Sequence, residues 1–325
     1  MSNVTKTTQD NLGVQLWACA EVLRGSAVDR TDWKAYILPL VFFKRICDVW
    51  DEEAAEVVAA YGDSDASEFP EAHRFVVPDG CHWSDVRATS QSVGEALARS
   101  MREIERSNPE RLFRVFGAAD WGNKEILSDE LLKNLIESLS SVSLGNKGVS
   151  SDLLGDAYEY LVGKFADVTR RKKAGEFYTP RSVIRLLVEI LDPQEGETIY
   201  DPACGTGGML LGAIDHVERN GGDPRTFYGN IFGQEKNLNT SSIARMNLVL
   251  HGVEDFEIVR EDTLRAPVFT DPGSNGLATF DCVIANPPFS LKEWGHSEWE
   301  SDTWGRNLYG IPPNSNGDFV ALDGS

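Results

Sequence analysis

The sequence predicts an α/β protein in two parts: a helical N-terminal domain, residues 1–145, and an α/β domain with a mostly parallel, doubly wound sheet, residues 146–325. Before residue 195, apolar side chains recur at three- and four-residue steps and strand-like alternation is scarce. Beyond it, short apolar strands alternate with helical stretches, which implies right-handed crossovers. The turn-forming Gly-Asn-Lys-Gly at 145–148 separates the two patterns.

The first long helix is expected at residues 29–61, where apolar positions fill one helical face. Thr31 or Asp32 can cap its start. Pro39 should bend it, and Gly62 should end it. Further helices are expected at 90–104, 124–139, 153–165 and 183–191, and strands at 198–200, 226–232, 256–259 and 280–285.

Length and composition narrow the class of protein. The 325 residues, 41% of them apolar, suffice for two domains with sizeable cores. The five cysteines form no CxxC pair, which argues against a disulfide framework and a zinc site; His73, Cys81 and His82 make only a weak metal cluster, so no metal is predicted. No signal peptide or membrane span is recognisable, so we expect a soluble cytoplasmic protein with no membrane partner.

The first chemical motif follows the first predicted strand and opens a helix. It reads Asp-Pro-Ala-Cys-Gly-Thr-Gly-Gly over residues 201–208, and its candidate ligand contacts are Asp201, Ala203, Gly205, Thr206, Gly207 and Gly208. Glycines there let the backbone approach a ligand at the carboxyl end of a strand. A structural turn or a dinucleotide site also fits the glycines. However, Asp201 would repel a pyrophosphate and suits a ligand that carries an amino group and a sulfonium.

Two further acids follow later strands. Glu235 ends the second strand, where its carboxylate can accept hydrogen bonds from both hydroxyls of a ribose. Asp262 follows the third strand and can hold an adenine amine, although the adjacent Glu261 makes this assignment weaker. A solvated loop acid remains the alternative for each.

The most specific motif is Asn286-Pro287-Pro288-Phe289, after a strand of buried character. An exocyclic amine on an aromatic base is a poor nucleophile because its lone pair is delocalised into the ring. If the Asn286 side-chain carbonyl and the Pro287 backbone carbonyl accept its two N–H groups, the lone pair is directed at an incoming methyl. Paired prolines hold the backbone rigid, and Phe289 can stack on a flipped base. An ordinary proline loop is the alternative.

Two segments upstream complete the candidate site. Gly-Glu-Phe-Tyr-Thr-Pro at 175–180 leads into a helix, with Thr179 as N-cap and Pro180 at the first helical position. Beyond capping, Glu176, Phe177, Tyr178 and Thr179 are candidate cofactor contacts. Just before them, the basic run Arg170, Arg171, Lys172 and Lys173 is either a solvated loop or a contact to DNA phosphates.

Taken in order, these motifs resemble the gamma-class N6-adenine DNA methyltransferases, specifically the modification (M) subunit of type I restriction-modification systems. The resemblance runs from about residue 10 to about residue 320 and includes the segments 33–48, 152–165 and 316–319. It implies a Rossmann-like domain that transfers a methyl group from S-adenosyl-L-methionine to adenine in double-stranded DNA. It also implies a complex with a second M subunit, a specificity (S) subunit and a restriction (R) subunit.

Charge and length qualify this expectation. The net charge of −20 predicts weak binding of the isolated chain to DNA, so either a local basic strip is hidden in the acidic average or a partner supplies most phosphate contacts. Family members continue past residue 319, so the methyltransferase domain is expected to be incomplete, with an unpaired edge at its fourth strand. The alternatives are a cofactor- or partner-binding fragment without turnover, a protein glutamine methyltransferase and, on fold grounds alone, a Rossmann dehydrogenase.

Overall fold

The computed structural model describes residues 9–62, 69–170, 179–253, 255–271, 273–274, 276–289, 293–307 and 310–314. It divides into two compact units. Unit 1 comprises Met1–Val168 with Val249–Gly252, and unit 2 comprises Thr169–Leu248 with Val253–Ser325. The expected fold class, a helical N-terminal part followed by an α/β part with a parallel sheet, is confirmed. The domain boundary at residue 145 stays a prediction.

Within the part of the chain that the structure describes, helices alternate with strands only in the second half. The helices are α1 Gln9–Ala20, α2 Trp33–Tyr61, α3 Trp83–Ala88, α4 Val93–Ser107, α5 Pro109–Leu112, α6 Asp129–Ser140, α7 Ser151–Arg170, α8 Arg181–Leu191, α9 Gly208–Arg219, α10 Leu238–Leu250 and α11 His296–Glu300. The strands are β1 Ile199–Asp201, β2 Ile231–Gln234, β3 Glu257–Val259 and β4 Cys282–Val283. Within the described residues, none of the helices is long and apolar enough to cross a membrane.

The start and end of α2 follow from its flanking residues. The helix begins four residues later than expected because Asp29 forms a turn of its own, in which its Oδ1 accepts hydrogen bonds from the Thr31 backbone N–H at 2.9 Å and hydroxyl at 2.8 Å. Asp32 occupies the N-cap position without a side-chain cap bond. Gly62 ends the helix in the left-handed region, as expected, with its N–H donating to the Val58 carbonyl at 2.9 Å.

Buried charges on α2 hold the turn at residues 144–149. The Asp48 carboxylate accepts the Leu144 N–H at 2.8 Å and also binds Lys44 Nζ at 2.5 Å. Arg45 donates to the Leu144 carbonyl and to Asn146 Oδ1, and burial lowers the pKa of its guanidinium to about 10. Buried charges are tolerated when they are paired and hydrogen-bonded, as these are. The turn is therefore fixed by side chains of α2, a hundred residues earlier in the chain.

The sheet of unit 2 is parallel, with the strand order β3-β2-β1-β4. Two of the expected strands were too long. Residues 226–232 contain only the start of β2, because Asp223 caps a 3-10 turn, Pro224–Phe227, by accepting the Arg225 N–H at 3.0 Å. Residues 280–285 contain only the two residues of β4.

Strand order decides where a ligand can bind. From β1 the chain moves to β2 and β3 on one side, and then returns to pair β4 on the other side of β1. The strand order reverses between β1 and β4, and doubly wound sheets bind ligands in a crevice at the carboxyl ends of the two strands where this reversal occurs. Asp201 ends β1, and Asn286 follows β4 by three residues. Both chemical motifs therefore begin at the same crevice.

Substitution of a glycine in unit 1 tests how closely the helical part is packed. A Cβ on Gly94, in the first turn of α4, would lie 1.8 Å from the Trp121 carbonyl oxygen. We expect Gly94→Ala to destabilise the protein by about 2 kcal/mol because overpacking outweighs the helix propensity of alanine, lowering the unfolding midpoint by ~4–8 °C in calorimetry. Gly122→Ala, where the nearest atom is 3.7 Å away, is the matched control. Equal midpoints for the two variants would contradict this packing.

Candidate active site

The glycine turn after β1 has a conformation that depends on glycine. Gly205 and Gly207 have φ angles of +55° and +81°, in the left-handed region that other residues avoid. Gly207 is the N-cap of α9, and its N–H donates to the Cys204 carbonyl at 2.8 Å. The Cys204 N–H in turn donates to the Gln234 carbonyl of β2 at 3.0 Å. The turn is thus closed on itself and tied to the neighbouring strand.

Close helix packing fixes the end of this turn. A Cβ on Gly208 would lie 3.2 Å from Ile184 Cδ1 of α8, and one on Gly212 would lie 2.5 Å from Ile184 Cγ2. On the other side, Asn247 Nδ2 of α10 donates to the Thr206 carbonyl at 3.0 Å. The small residues of α9 therefore let α8 approach closely, and the start of α8 is held in place relative to the turn.

Two carboxylates converge on the turn. Asp201 is 1% exposed, and its Oδ1 accepts the Ala203 N–H at 3.0 Å. Glu235 Oε2 accepts the Gly205 N–H at 3.1 Å, while its Oε1 accepts the Asn237 N–H at 2.7 Å. Burial, together with the nearby Glu235 charge, raises the pKa of Asp201 to about 7. This pair makes the turn an electronegative cradle, which favours a cationic ligand.

Asp262 lies in the loop after β3 and is held by its neighbours. Its Oδ2 is 2.7 Å from Lys236 Nζ and 3.7 Å from Arg265 Nε, and its Oδ1 accepts the Leu264 N–H at 3.2 Å. The structure thus places a lysine beside this acid, a partner that the sequence did not indicate. Among the residues that the structure describes, no group of three His, Cys, Asp or Glu side chains is arranged to hold a metal ion.

The loop after β4 forms the other wall of the crevice. Asn286, Pro287 and Pro288 are half-buried, whereas the Phe289 ring is 61% exposed. Asn286 Nδ2 donates a hydrogen bond to Thr179 Oγ1 at 2.9 Å. The loop therefore presents an amide that is held at one end and a largely exposed aromatic side chain.

Thr179 does not cap α8, so the expected cap was wrong. The helix begins at Arg181, and Pro180 occupies the N-cap position, with its carbonyl accepting the Val183 and Ile184 N–H groups at 2.9 and 3.0 Å. The Thr179 hydroxyl instead bonds Asn286. Local capping rules failed here because a tertiary contact, between residues 107 positions apart, takes the hydroxyl.

Several candidate residues cannot be placed. Arg171, Lys172, Lys173, Glu176, Phe177 and Tyr178 lie outside the described residues, and Arg170 is the last residue of α7. Their assigned roles stay predictions.

Sequence patterns also missed a buried arginine near the site. The Arg306 guanidinium lies 4.5 Å from the Trp299 ring centre, pairs with Asp302 at 2.6 Å, and donates to the Thr263 and Leu264 carbonyls at 2.9 and 3.0 Å. Thr263 Oγ1 in turn donates to the Pro202 carbonyl of the glycine turn at 2.6 Å. An isolated Arg-Asp pair carries no periodicity, so the four-residue spacing of Asp302 and Arg306 is the one sequence signal that could have indicated it.

Comparison with known proteins identifies the family. A family profile described as N-6 DNA Methylase matches residues 149–322, more than half of the chain. The chain belongs to the N-6 DNA methylase family. A second profile, the HsdM N-terminal domain, matches residues 12–139. The resemblance to type I modification subunits is thereby confirmed.

Named relatives agree with this family. The MjaIX methylase subunit of a type I restriction enzyme from Methanocaldococcus jannaschii is 29% identical, over 94% of this chain and 56% of the relative. The HindI methylase subunit from Haemophilus influenzae is 35% identical, over 56% of this chain and 38% of the relative. The chain spans about half the length of the first curated relatives it matches, 56% and 55%.

Solved structures share the fold. The methyltransferase subunit of a type I restriction-modification system from Streptococcus thermophilus superposes with a TM-score of 0.78 at 29% identity, covering 98% of this chain and 71% of that one. A modification subunit of a putative type I restriction enzyme from Vibrio vulnificus gives 0.64 at 22% identity, which shows the fold alone.

The raised pKa of Asp201 has a consequence for stability. Because its folded-state pKa of about 7 exceeds the ordinary aspartate value of 3.8, the unfolded chain releases this proton at a lower pH than the folded chain does. The Asp201 contribution to the free energy of unfolding is therefore full below about pH 4 and declines as the pH rises to about 7. Carbon-13 NMR of labelled aspartate should show one carboxyl titrating near 7 that disappears in Asp201→Asn. A titration midpoint near pH 4 for this carboxyl would show that burial does not raise the pKa of Asp201.

Proposed function

We propose that this member of the N-6 DNA methylase family transfers a methyl group from S-adenosyl-L-methionine to the N6 amine of adenine in double-stranded DNA. One observation carries the proposal: the glycine turn and the Asn-Pro-Pro-Phe loop follow the carboxyl ends of the adjacent parallel strands β1 and β4. A cofactor cradle and a means of holding an aromatic amine are the two parts that such a reaction needs.

The residues of the turn fit S-adenosyl-L-methionine. The ligand carries an amino group and a sulfonium, both positive, and the cradle offers the carboxylates of Asp201 and Glu235. The left-handed backbone at Gly205 and Gly207 leaves no side chain between the turn and a ligand. We assign Glu235 to the ribose hydroxyls. Asp262, held by Lys236, is assigned to the adenine amine, with Ala203, Thr206 and Gly208 contributing backbone contacts.

When bound, the cofactor supplies a methyl group attached to a cationic sulfur, and transfer of the methyl group leaves a neutral thioether. Asn286 Oδ1 and the Pro287 carbonyl accept the two N–H groups of the target amine, so that its lone pair faces the methyl. Pro288 stiffens this loop, and the exposed Phe289 ring stacks on the extruded base. No strong base is needed, because the alkylated nitrogen is acidic and releases its proton after transfer.

The acidic charge of the chain favours a partner that contacts the DNA. A net charge of −20 opposes binding to DNA, because affinity for a duplex depends on Lys and Arg contacts to phosphates. We therefore propose that a specificity subunit reads the sequence, with a second M subunit beside this one and a restriction subunit in the full complex. Arg170 to Lys173 is a candidate phosphate contact. A DNA substrate agrees with the expected cytoplasmic location.

Labelled methyl transfer tests the proposal. In a complex with the specificity subunit, the chain should label DNA, and Asn286→Ala should lower kcat by about 100- to 1000-fold because the amine loses its preorganised acceptor. The control is Asn11→Ala, which removes an exposed side chain whose described bond is to Gln15. Wild-type activity in Asn286→Ala would remove that residue from the mechanism.

The same assay separates the alternatives. Label in protein would favour a glutamine methyltransferase, whose amide nitrogen poses the same lone-pair problem; the match of residues 12–139 to the HsdM N-terminal domain argues against it. Cofactor binding without label in either fraction would favour a binding fragment.

A further inference from the structure

The hydrogen bond between Thr179 and Asn286 bears on which end of the Asn286 amide faces the target amine. A carboxamide has two ends of nearly equal shape, an oxygen that accepts and a nitrogen that donates. Only the oxygen can accept an N–H of the target amine. A half-turn of the Asn286 amide would point N–H groups at N–H groups and would not draw the lone pair toward the methyl.

The Thr179 contact selects one end of the amide. Asn286 Nδ2 donates one of its N–H groups to Thr179 Oγ1 at 2.9 Å, whereas Oδ1 accepts no hydrogen bond from the residues that the structure describes and is the end that can accept from a substrate. Pro287 restricts the backbone of the preceding Asn286, which leaves the side-chain torsions as the main freedom for this contact to remove.

Thr179 is itself well anchored. It directly precedes Pro180, whose φ is −58° and whose carbonyl accepts the first backbone bonds of α8. That helix is fixed by buried Ile184 and Val188, and Ile184 packs on the glycines of α9. The hydroxyl therefore sits on the same rigid frame as the cofactor turn, and it aligns the amide relative to that turn.

We infer that Thr179 is a positioning residue for methyl transfer: its hydroxyl oxygen holds Asn286 Nδ2 and so keeps Oδ1 directed at the target amine. This inference rests on the proposed function. It differs from the role that the sequence suggested, contact with the cofactor, and the two roles predict different kinetics. A positioning role acts on kcat, whereas a cofactor contact acts on binding of S-adenosyl-L-methionine.

The decisive comparison is Thr179→Val, which keeps the shape and removes the hydroxyl, with Thr179→Ser, which keeps the hydroxyl. In the complex with the specificity subunit, Thr179→Val should lower kcat by about 10- to 100-fold, with the calorimetric Kd for S-adenosyl-L-methionine unchanged within about threefold. Thr179→Ser should recover most of the activity. Thr226→Val is the control, since its hydroxyl donates to the Asp223 carbonyl in a separate turn.

A second readout needs no turnover. In nitrogen-15 spectra of the chain alone, the Asn286 side-chain amide, assigned with Asn286→Ala, should keep its shifts in Thr179→Ser and move in Thr179→Val. If Thr179→Val fails to fold, Thr179→Ala replaces it. A failure of wild type to methylate DNA would defeat the proposed function, while the amide spectra would still report on the Thr179 contact.

Three results would overturn the inference. A Kd raised more than about tenfold with kcat unchanged in Thr179→Val would make Thr179 a cofactor contact. Equal losses in the valine and serine variants would show that the hydroxyl is not what matters. An Asn286 amide resonance that is the same in Thr179→Val as in the wild type would show that the hydrogen bond does not hold the amide.

Discussion

The parallel pairing of β1 with both β2 and β4 is the constraint on which the candidate site depends. Because β4 returns to the far side of β1, the strand order reverses between these two strands, and a ligand crevice is expected at their carboxyl ends. Each segment carries its own chemistry. Asp201 and the glycines follow one strand, and Asn286 follows the other. A sheet of another strand order would separate the two motifs and leave each of them an ordinary loop.

Electrostatics gives the crevice its selectivity. A carboxylate that is 1% exposed is costly to charge, and its pKa is raised to about 7 by burial and by its neighbour Glu235. Such an arrangement is unfavourable for the isolated fold and becomes favourable when a cation is bound beside it. The acidic cradle would reject a pyrophosphate, which argues against a dinucleotide on a turn whose glycines alone would allow one.

The sequence predicted those features that depend on local pattern and chain order. The order of the residues alone indicates the glycine turn, the strands followed by helices and the Asn-Pro-Pro after a buried strand. Tertiary contacts were not. The pattern of residues 226–232 predicts a strand, but Asp223 caps a turn that overlaps the start of this range. The position of Thr179 predicts a helix cap, but its hydroxyl bonds Asn286 instead. Lys236 beside Asp262 and Arg306 against Trp299 likewise arise from folding of distant segments.

Titration calorimetry of S-adenosyl-L-methionine into the 325-residue chain tests the central claim, that Asp201 and the glycine turn form a cradle for a cationic cofactor. We expect one site that binds roughly five- to tenfold more tightly at about pH 7.5 than at about pH 6, because Asp201 gains its charge over this range. Asp201→Asn should weaken binding and remove the pH dependence, whereas the exposed Glu218→Gln should do neither. Absence of binding, or affinity and pH dependence unaltered in Asp201→Asn, would contradict the account.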